Sequence, residues 1–255
     1  MTSFVLLRGL TREARHWGDF PALLAVQQPG ASVHCLDLPG NGRFNRQRSP
    51  ATVVGMMEFC RAQLQLDGLA PPYCLVAMSL GAMVATAWAQ RYPAQLSGAV
   101  LINTSMRPFS PFWQRLRPQN YARLMRLLVL NPTAREREVL ALTSQMTRLD
   151  AHRSHAALLQ WVRWATQAPV SASNAWRQLL AAARFRAARS RPATPLLLLV
   201  GAADALVHPA CSHAIAQAWD CSLLEHPRAG HDLPLDDGAW LAHTIDHWLP
   251  NGLKK

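Results

Sequence analysis

Six short runs of nearly uninterrupted apolar residues constrain the fold of this chain more than any other feature. They cover Ser3–Arg8, Ser32–Asp37, Tyr73–Met78, Gly98–Asn103, Pro195–Gly201 and Ser222–His226. A strand exposed on one face alternates apolar with polar residues, whereas a strand covered on both faces does not, so most of these runs suit a parallel sheet between two helical layers. Helical patterns fall at Thr52–Leu66, with Val53, Met56, Met57, Cys60 and Leu64 on one face, and at Leu80–Arg91, Pro209–Trp219 and Gly238–Leu249. The alternation predicts an α/β fold: a doubly wound, mostly parallel six-stranded sheet with right-handed crossovers.

The rhythm breaks after the fourth run. Residues 107–191 are too long for one crossover helix and read as amphipathic helices over Asn120–Leu130, Arg135–Met146, Ser154–Gln167 and Ala172–Ala188. Asn131-Pro132 and Ala168-Pro169 punctuate them. The last is expected to pack through Trp176, Leu179, Leu180 and Ala183. The predicted organisation is therefore a core of residues 1–106 and 192–255 with a helical lid, 107–191, inserted in it. Charge follows the same division. The net charge is +11, and residues 107–191 hold fifteen arginines against three acidic residues, which leaves the core nearly neutral.

Half of the 255 residues are hydrophobic, enough to bury a single core and too many for a disordered chain. The longest apolar stretches are about half the length of a membrane helix, and the first ten residues lack the basic start and small-residue cleavage site of a secretory signal. Five scattered cysteines suit reduced, buried thiols better than a disulfide framework. The expectation is a cytoplasmic protein with no membrane span.

Chemistry is carried by residues at the ends of the predicted strands. "CLVAMSLGAMV" puts Ser79 between a buried strand and a helix, the place of a nucleophile elbow, with small residues (Ala77, Gly81) two positions to either side. A serine needs a base. "LLLLVGAADALVHP" carries Asp204 in the loop after the fifth strand, and "LLEHPRAGHDLPLDD" carries His231 after the sixth, so both fall at the same sheet edge as Ser79. Asp232 is too close in sequence to His231 to serve as its acid, and Asp236 and Asp237 read as caps of the last helix. Asn103, at the fourth strand's end, is an amide. In "VLLRGLTREARHW", Gly9 lets the backbone approach a substrate oxygen, and the amides of Leu10 and Leu80 would form an oxyanion hole.

With "RGL", "DLPGNG", "AMSLG", "GAADALV" and "AGHDLPLDD" in this order, the chain resembles the α/β-hydrolase superfamily, over Ser3–Arg107 and Pro195–Leu249. Among its members it is similar to the compact, helical-lid pimeloyl-carrier-protein methyl ester esterases. The resemblance implies a serine carboxylesterase with the triad Ser79, Asp204 and His231, and no metal or organic cofactor. Two departures stand out: Arg8 replaces the usual histidine before the oxyanion-loop glycine, and the family's leading hairpin is missing. Other chemistries on the same scaffold remain alternatives: thioester hydrolysis, acyl transfer, C–C hydrolysis, elimination, or binding without catalysis.

The aromatic residues Phe109, Phe112, Trp113, Trp161, Trp164 and Trp176 are expected to pack the lid on the core, with Trp113 and Trp161 lining an apolar substrate pocket. The lid arginines fit a solvated surface, and equally a rim that steers an acidic acyl carrier protein or the phosphates of coenzyme A towards the site. A nucleic-acid partner is not expected, since no recognition fold or aromatic platform accompanies the charge. "HTIDH", "HPACSH" and "HRSH" read as solvated or packing histidines, short of a zinc ligand set.

Overall fold

The structure, a computed structural model, describes residues 2–127 and 129–249. Its six strands are β1 (Ser3–Leu7), β2 (Ser32–Leu36), β3 (Tyr73–Met78), β4 (Leu96–Ile102), β5 (Leu196–Gly201) and β6 (Ser222–His226). They form one sheet in the order β2-β1-β3-β4-β5-β6, every pair parallel. All six runs are therefore strands; the inner four, β1, β3, β4 and β5, are buried on both faces as expected, whereas the edge strands β2 and β6 are only partly covered. Successive residues point to opposite faces. Val5, Leu7, Leu75, Ala77, Leu101 and Leu198 bury against α2 (Val53–Leu66), α3 (Leu80–Arg91) and α10 (Ala210–Trp219). Phe4, Leu6, Val76, Met78, Val100 and Leu199 bury against α1 (Phe20–Gln27) and α11 (Leu233–Trp248) on the other face.

Among the described residues, six α-helices lie between β4 and β5: α4 (Phe112–Arg115), α5 (Tyr121–Arg126), α6 (Pro132–Thr143), α7 (Met146–Leu149), α8 (Ala151–Gln167) and α9 (Ala172–Arg184). Side-chain caps start three of them. Asn131, Asp150 and Ser171 accept hydrogen bonds from the amides of Ala134, Arg153 and Asn174. No helix among the described residues is long and apolar enough to cross a membrane.

Several details correct the sequence reading. Helix α9 does not pack through its tryptophan face: Trp176 is 65% exposed and Leu179 38%. Its buried face is polar, formed by Asn174, Gln178 and Ala181. Asn174 donates to the carbonyl of Gln47 (2.9 Å) and accepts from the amide of Ser49 (2.9 Å), so the helix docks by satisfying the backbone of a loop. Phe112 and Trp113 also stand largely in solvent, whereas Phe109 packs edge-on against Trp219 of the core. Helix α11 begins five residues before Gly238 and breaks at Asp237, whose backbone is non-helical. Asp237 caps the second half by accepting from the Trp240 amide (2.9 Å). Asp236 is no cap; it reaches back to the amides of Gly230 (2.7 Å) and Gln145 (3.1 Å).

Gly81 lets α3 reach the sheet. A Cβ there would press on the carbonyl oxygens of Leu7 and Arg8, 2.7 Å from the latter. Overpacking against fixed backbone costs about 1–3 kcal/mol or more. Gly81→Ala is expected to lower the stability by at least that much, read from the urea midpoint. An unchanged midpoint would contradict the close approach.

Candidate active site

Strand β3 runs into α3 through a single residue, so the chain must reverse at Ser79. It does so at φ 54° and ψ −114°, in a region that L-residues rarely enter. Such a conformation costs about 1–3 kcal/mol and persists only where its surroundings enforce it. Here the Ser79 amide donates to the Ile102 carbonyl (2.9 Å), and the Thr104 hydroxyl donates to the Ser79 carbonyl (3.2 Å). The side chain is half-buried at the amino end of a twelve-residue helix, where the free amides and dipole favour negative charge.

Sheet topology decides what stands beside it. The connection from β1 leads outward to β2, while that from β3 leads the other way to β4, so the loops after β1 and β3 separate and leave a crevice at the carboxyl rim. Gly9 lines it: a Cβ on this residue would lie 3.1 Å from the Ser79 Cβ and 3.6 Å from its Oγ. Among the described residues, neither the Leu10 nor the Leu80 amide donates to another group.

The loops after β5 and β6 supply Asp204 and His231, both almost fully buried. Asp204 Oδ2 lies 2.7 Å from His231 Nδ1, and its Oδ1 accepts from the amides of Leu206 (2.8 Å) and Val207 (2.9 Å). A carboxylate acceptor at Nδ1 puts the imidazole proton there and leaves Nε2 as the basic nitrogen. Asn103, at a positive φ of 46°, ties the loops together. It donates to the carbonyls of Gly230 (3.0 Å) and His231 (2.7 Å) and accepts from the Gly201 amide (2.8 Å). The structure thus joins Asp204 to His231 directly and places Ser79 at the same rim. Among the described residues no hydrogen bond links the Ser79 hydroxyl to the imidazole, a contact that commonly tightens only with substrate bound.

Residues that the motifs did not single out hold this rim in place. Arg8, in the position of the expected histidine, forms two hydrogen bonds with Asp232 (3.0 and 2.6 Å), fully buried, with its guanidinium 5.1 Å from the Trp17 ring centre. Gln178 of α9 accepts from the Thr11 amide (2.9 Å) and donates to Asn41 (2.7 Å). Arg12 pairs with Glu136 of α6 (2.5 Å) and lies over Trp161 of α8 (4.5 Å). Thr143 accepts from the Asp232 amide (2.7 Å). Trp161, expected as a pocket wall, is buried beneath Arg12 and against His16, and Trp113 stacks on Phe112 at the surface. Arg8 and Asp232 were visible as residues, but 224 positions separate them and nothing local announces the pairing.

Among the described residues, no group of three or more His, Cys, Asp or Glu side chains could hold a metal ion. All five cysteines are free; burial raises every thiol, Cys60 and Cys74 to about 12. Two shallow depressions of about 410 and 490 Å³ border the amino end of β6, the opposite rim from Ser79.

A model of the alpha/beta hydrolase family matches residues 4–244, and the chain belongs to that family. A pimeloyl-[acyl-carrier protein] methyl ester esterase of Serratia marcescens is 27% identical over 219 residues, which span 84% of this chain and 80% of the relative. Among solved structures, a thermophilic esterase from Thermogutta terrifontis with malate bound superposes with a TM-score of 0.77 at 22% identity, covering 100% of this chain and 91% of its own. The enol-lactonase of Burkholderia xenovorans LB400 also gives 0.77, at 18% identity over 97% of this chain and 91% of its own. At these identities the two structures establish the shared fold.

Beside the site, burial and the Arg12 and Arg8 charges hold the His16 imidazole well below its ordinary 6.5. Nε2 faces Arg12 Nη1 (3.0 Å), and Nδ1 lies 3.2 Å from both the amide nitrogen and the carbonyl oxygen of Glu13. Below pH 6.5 the unfolded chain binds this proton and the folded chain does not. The associated stability is therefore present above pH 6.5 and falls as the pH drops, by up to about 1.4 kcal/mol per unit. His16→Gln keeps an acceptor for Arg12 and removes the titration. Between pH 7 and 5 the wild type is expected to lose stability relative to the variant, and parallel denaturation curves would contradict the assignment.

Proposed function

We propose that this chain is a serine carboxylesterase that works through an acyl-enzyme on Ser79. One observation carries the reading: the Asp204 carboxylate grips His231 by Nδ1, at the rim where Ser79 stands in a strained turn at the amino end of α3. In this mechanism His231 Nε2 takes the hydroxyl proton as Ser79 Oγ attacks the ester carbonyl carbon. The amides of Leu10 and Leu80 hold the oxyanion. Collapse of the tetrahedral intermediate breaks the bond to the alkoxy oxygen, which leaves as an alcohol with the proton from His231. Water, deprotonated by the same nitrogen, then hydrolyses the acyl-enzyme and restores Ser79. Asp204 keeps the proton on Nδ1 and stabilises the imidazolium.

The helical segment 107–191 acts in this reading as a lid that roofs the cleft. Gly9 admits the substrate, Trp113 offers an exposed apolar wall, and Trp161 supports Arg12 from beneath. The substrate class we favour is an ester presented by an acidic carrier. Arg126, Arg137, Arg148, Arg153 and Arg163 are exposed on this segment and make no ion pair among the described residues, which leaves their charge free to attract an acidic partner. The carrier-linked methyl ester in the relative's name agrees with this choice.

A panel of p-nitrophenyl esters from acetyl to dodecanoyl, with a fluorophosphonate probe, tests the chemistry. Ser79→Ala is expected to lower kcat by at least about a thousandfold and to abolish labelling, with the fold intact. Residual turnover near that of the wild type would overturn the assignment of Ser79. For the substrate, a carrier-bound acyl methyl ester is expected to give a higher kcat/KM than the free methyl ester at low salt, with the advantage lost at high salt. Equal values at both salt concentrations would remove the carrier from the proposal.

A further inference from the structure

We propose that the buried Arg8–Asp232 pair is a positioning element that sets the His231 imidazole relative to the oxyanion-binding amides. The inference rests on the reading of Ser79, Asp204 and His231 as the reacting groups, and assigns work to two residues outside it. Arg8 immediately precedes Gly9 and Leu10; Asp232 immediately follows His231. The pair therefore joins the two loops whose relative placement fixes how far the base stands from the oxyanion.

The sheet cannot do this by itself. Strands β3, β4 and β5 lie between β1 and β6, so about 19 Å of sheet separates the roots of the two loops at a spacing of about 4.8 Å per strand. No ladder connects them. Among the described residues, hydrogen bonds hold segment 230–232 to Asp204, Asn103, Thr143, Asp236 and Arg8. Arg8 is the partner in that set that belongs to the β1 side. Asn103 fixes the His231 carbonyl to β4, and Thr143 fixes the Asp232 amide to α6, which reaches the β1 loop indirectly, through Glu136 and Arg12; the Arg8–Asp232 pair is the direct bond between the two loops.

The chemistry of the link suits the task. Two parallel bonds between a planar guanidinium and a carboxylate fix orientation as well as distance, which a lysine or a single hydrogen bond does not. Trp17, itself buried, lies beside the Arg8 guanidinium and limits its swing. A buried ion pair is also a poor device for stability alone, because well-packed apolar residues of similar volume often stabilise as much or more. Its directionality is what an apolar pair lacks, and a displacement of about 1 Å in a catalytic group can cost about a hundredfold in rate.

The test uses that contrast. Removing one partner strands a buried charge and can unfold the protein, so the informative variant is Arg8→Met with Asp232→Leu, which removes both charges and keeps the volume. It is expected to melt within a few degrees of the wild type while kcat on a p-nitrophenyl ester falls tenfold to a hundredfold and KM changes less than threefold. Arg8→Lys, which keeps the charge but not the second bond, is expected to fall between the two in kcat at an unchanged melting temperature. Wild-type kcat in either folded variant would overturn the proposal. With Ser79→Ala measured beside them, the two claims fail separately: an active Ser79→Ala enzyme defeats the proposed mechanism, whereas an inactive one beside fully active pair variants defeats only the positioning role.

Discussion

The approach of α3 to β1 governs the geometry of the rim. Because Gly81 carries no side chain, the first turn of the helix settles onto the carbonyls of Leu7 and Arg8, and Ser79 is drawn against Gly9. The positive φ at Ser79 follows, since a strand that enters a helix after one residue has no other way to turn. Strain here is the local expression of a packing requirement that the buried apolar layers enforce. Among the described residues, the Leu10 amide, one position after Gly9, and the Leu80 amide, one after Ser79, donate to no other group. The elbow itself is thus the consequence of a single contact.

The helical segment between β4 and β5 joins this rim in an unusual manner. Among the described residues, the layer containing α1 and α11 takes no apolar residue from the helices of this segment, and the opposite layer takes from them chiefly Ala181 with partial cover from Ala182. The attachment is made by buried polar groups instead. Gln178 meets Thr11 and Asn41, Glu136 meets Arg12, Asn120 donates to the Ala205 carbonyl (2.7 Å), and Thr143 accepts from Asp232. Each contact lands on a loop that carries, or adjoins, a proposed reacting group. Hydrogen bonds are directional where apolar contact is not, so this segment fixes where the loops sit more than it enlarges the core.

That difference also explains which parts were legible in the sequence. The inner strands were, because burial on both faces writes an unbroken apolar run; so was the Ser79 turn, because Gly81 and the order of the Asp204 and His231 loops follow from local requirements. Helix α9 was misread because Trp176 and Leu179 form the apolar stripe that a helix usually buries, while its actual packing face uses Asn174 and Gln178. Their partners lie in loop 39–49, more than a hundred positions away, and no periodicity encodes a hydrogen bond across that separation. Asp236 reads as a cap in the sequence for the same reason: its amide partners at Gly230 and Gln145 become neighbours only after folding. Helix α1 went unseen because "FPALLAVQ" is short and carries almost no polar face to set its period.

The arginines show why net charge by region conceals part of the design. The segment after β1 contains Arg8, Arg12 and Arg15: the first two are buried against Asp232 and Glu136, and Arg15, at the surface, pairs with Glu13 and with Gln167. They contribute to the near neutrality of the core because their acidic partners are counted with them, Glu136 alone belonging to the inserted segment. Among the described residues, the exposed arginines of that segment make no such ion pair, and their charge faces solvent. One residue type therefore serves two ends. In the first loop, geometry matters and the field is cancelled locally; on the inserted helices, the field survives because nothing fixes the geometry. Surface charge can therefore be altered on the inserted helices without disturbing the buried ion pairs of Arg8 and Arg12 that hold the rim.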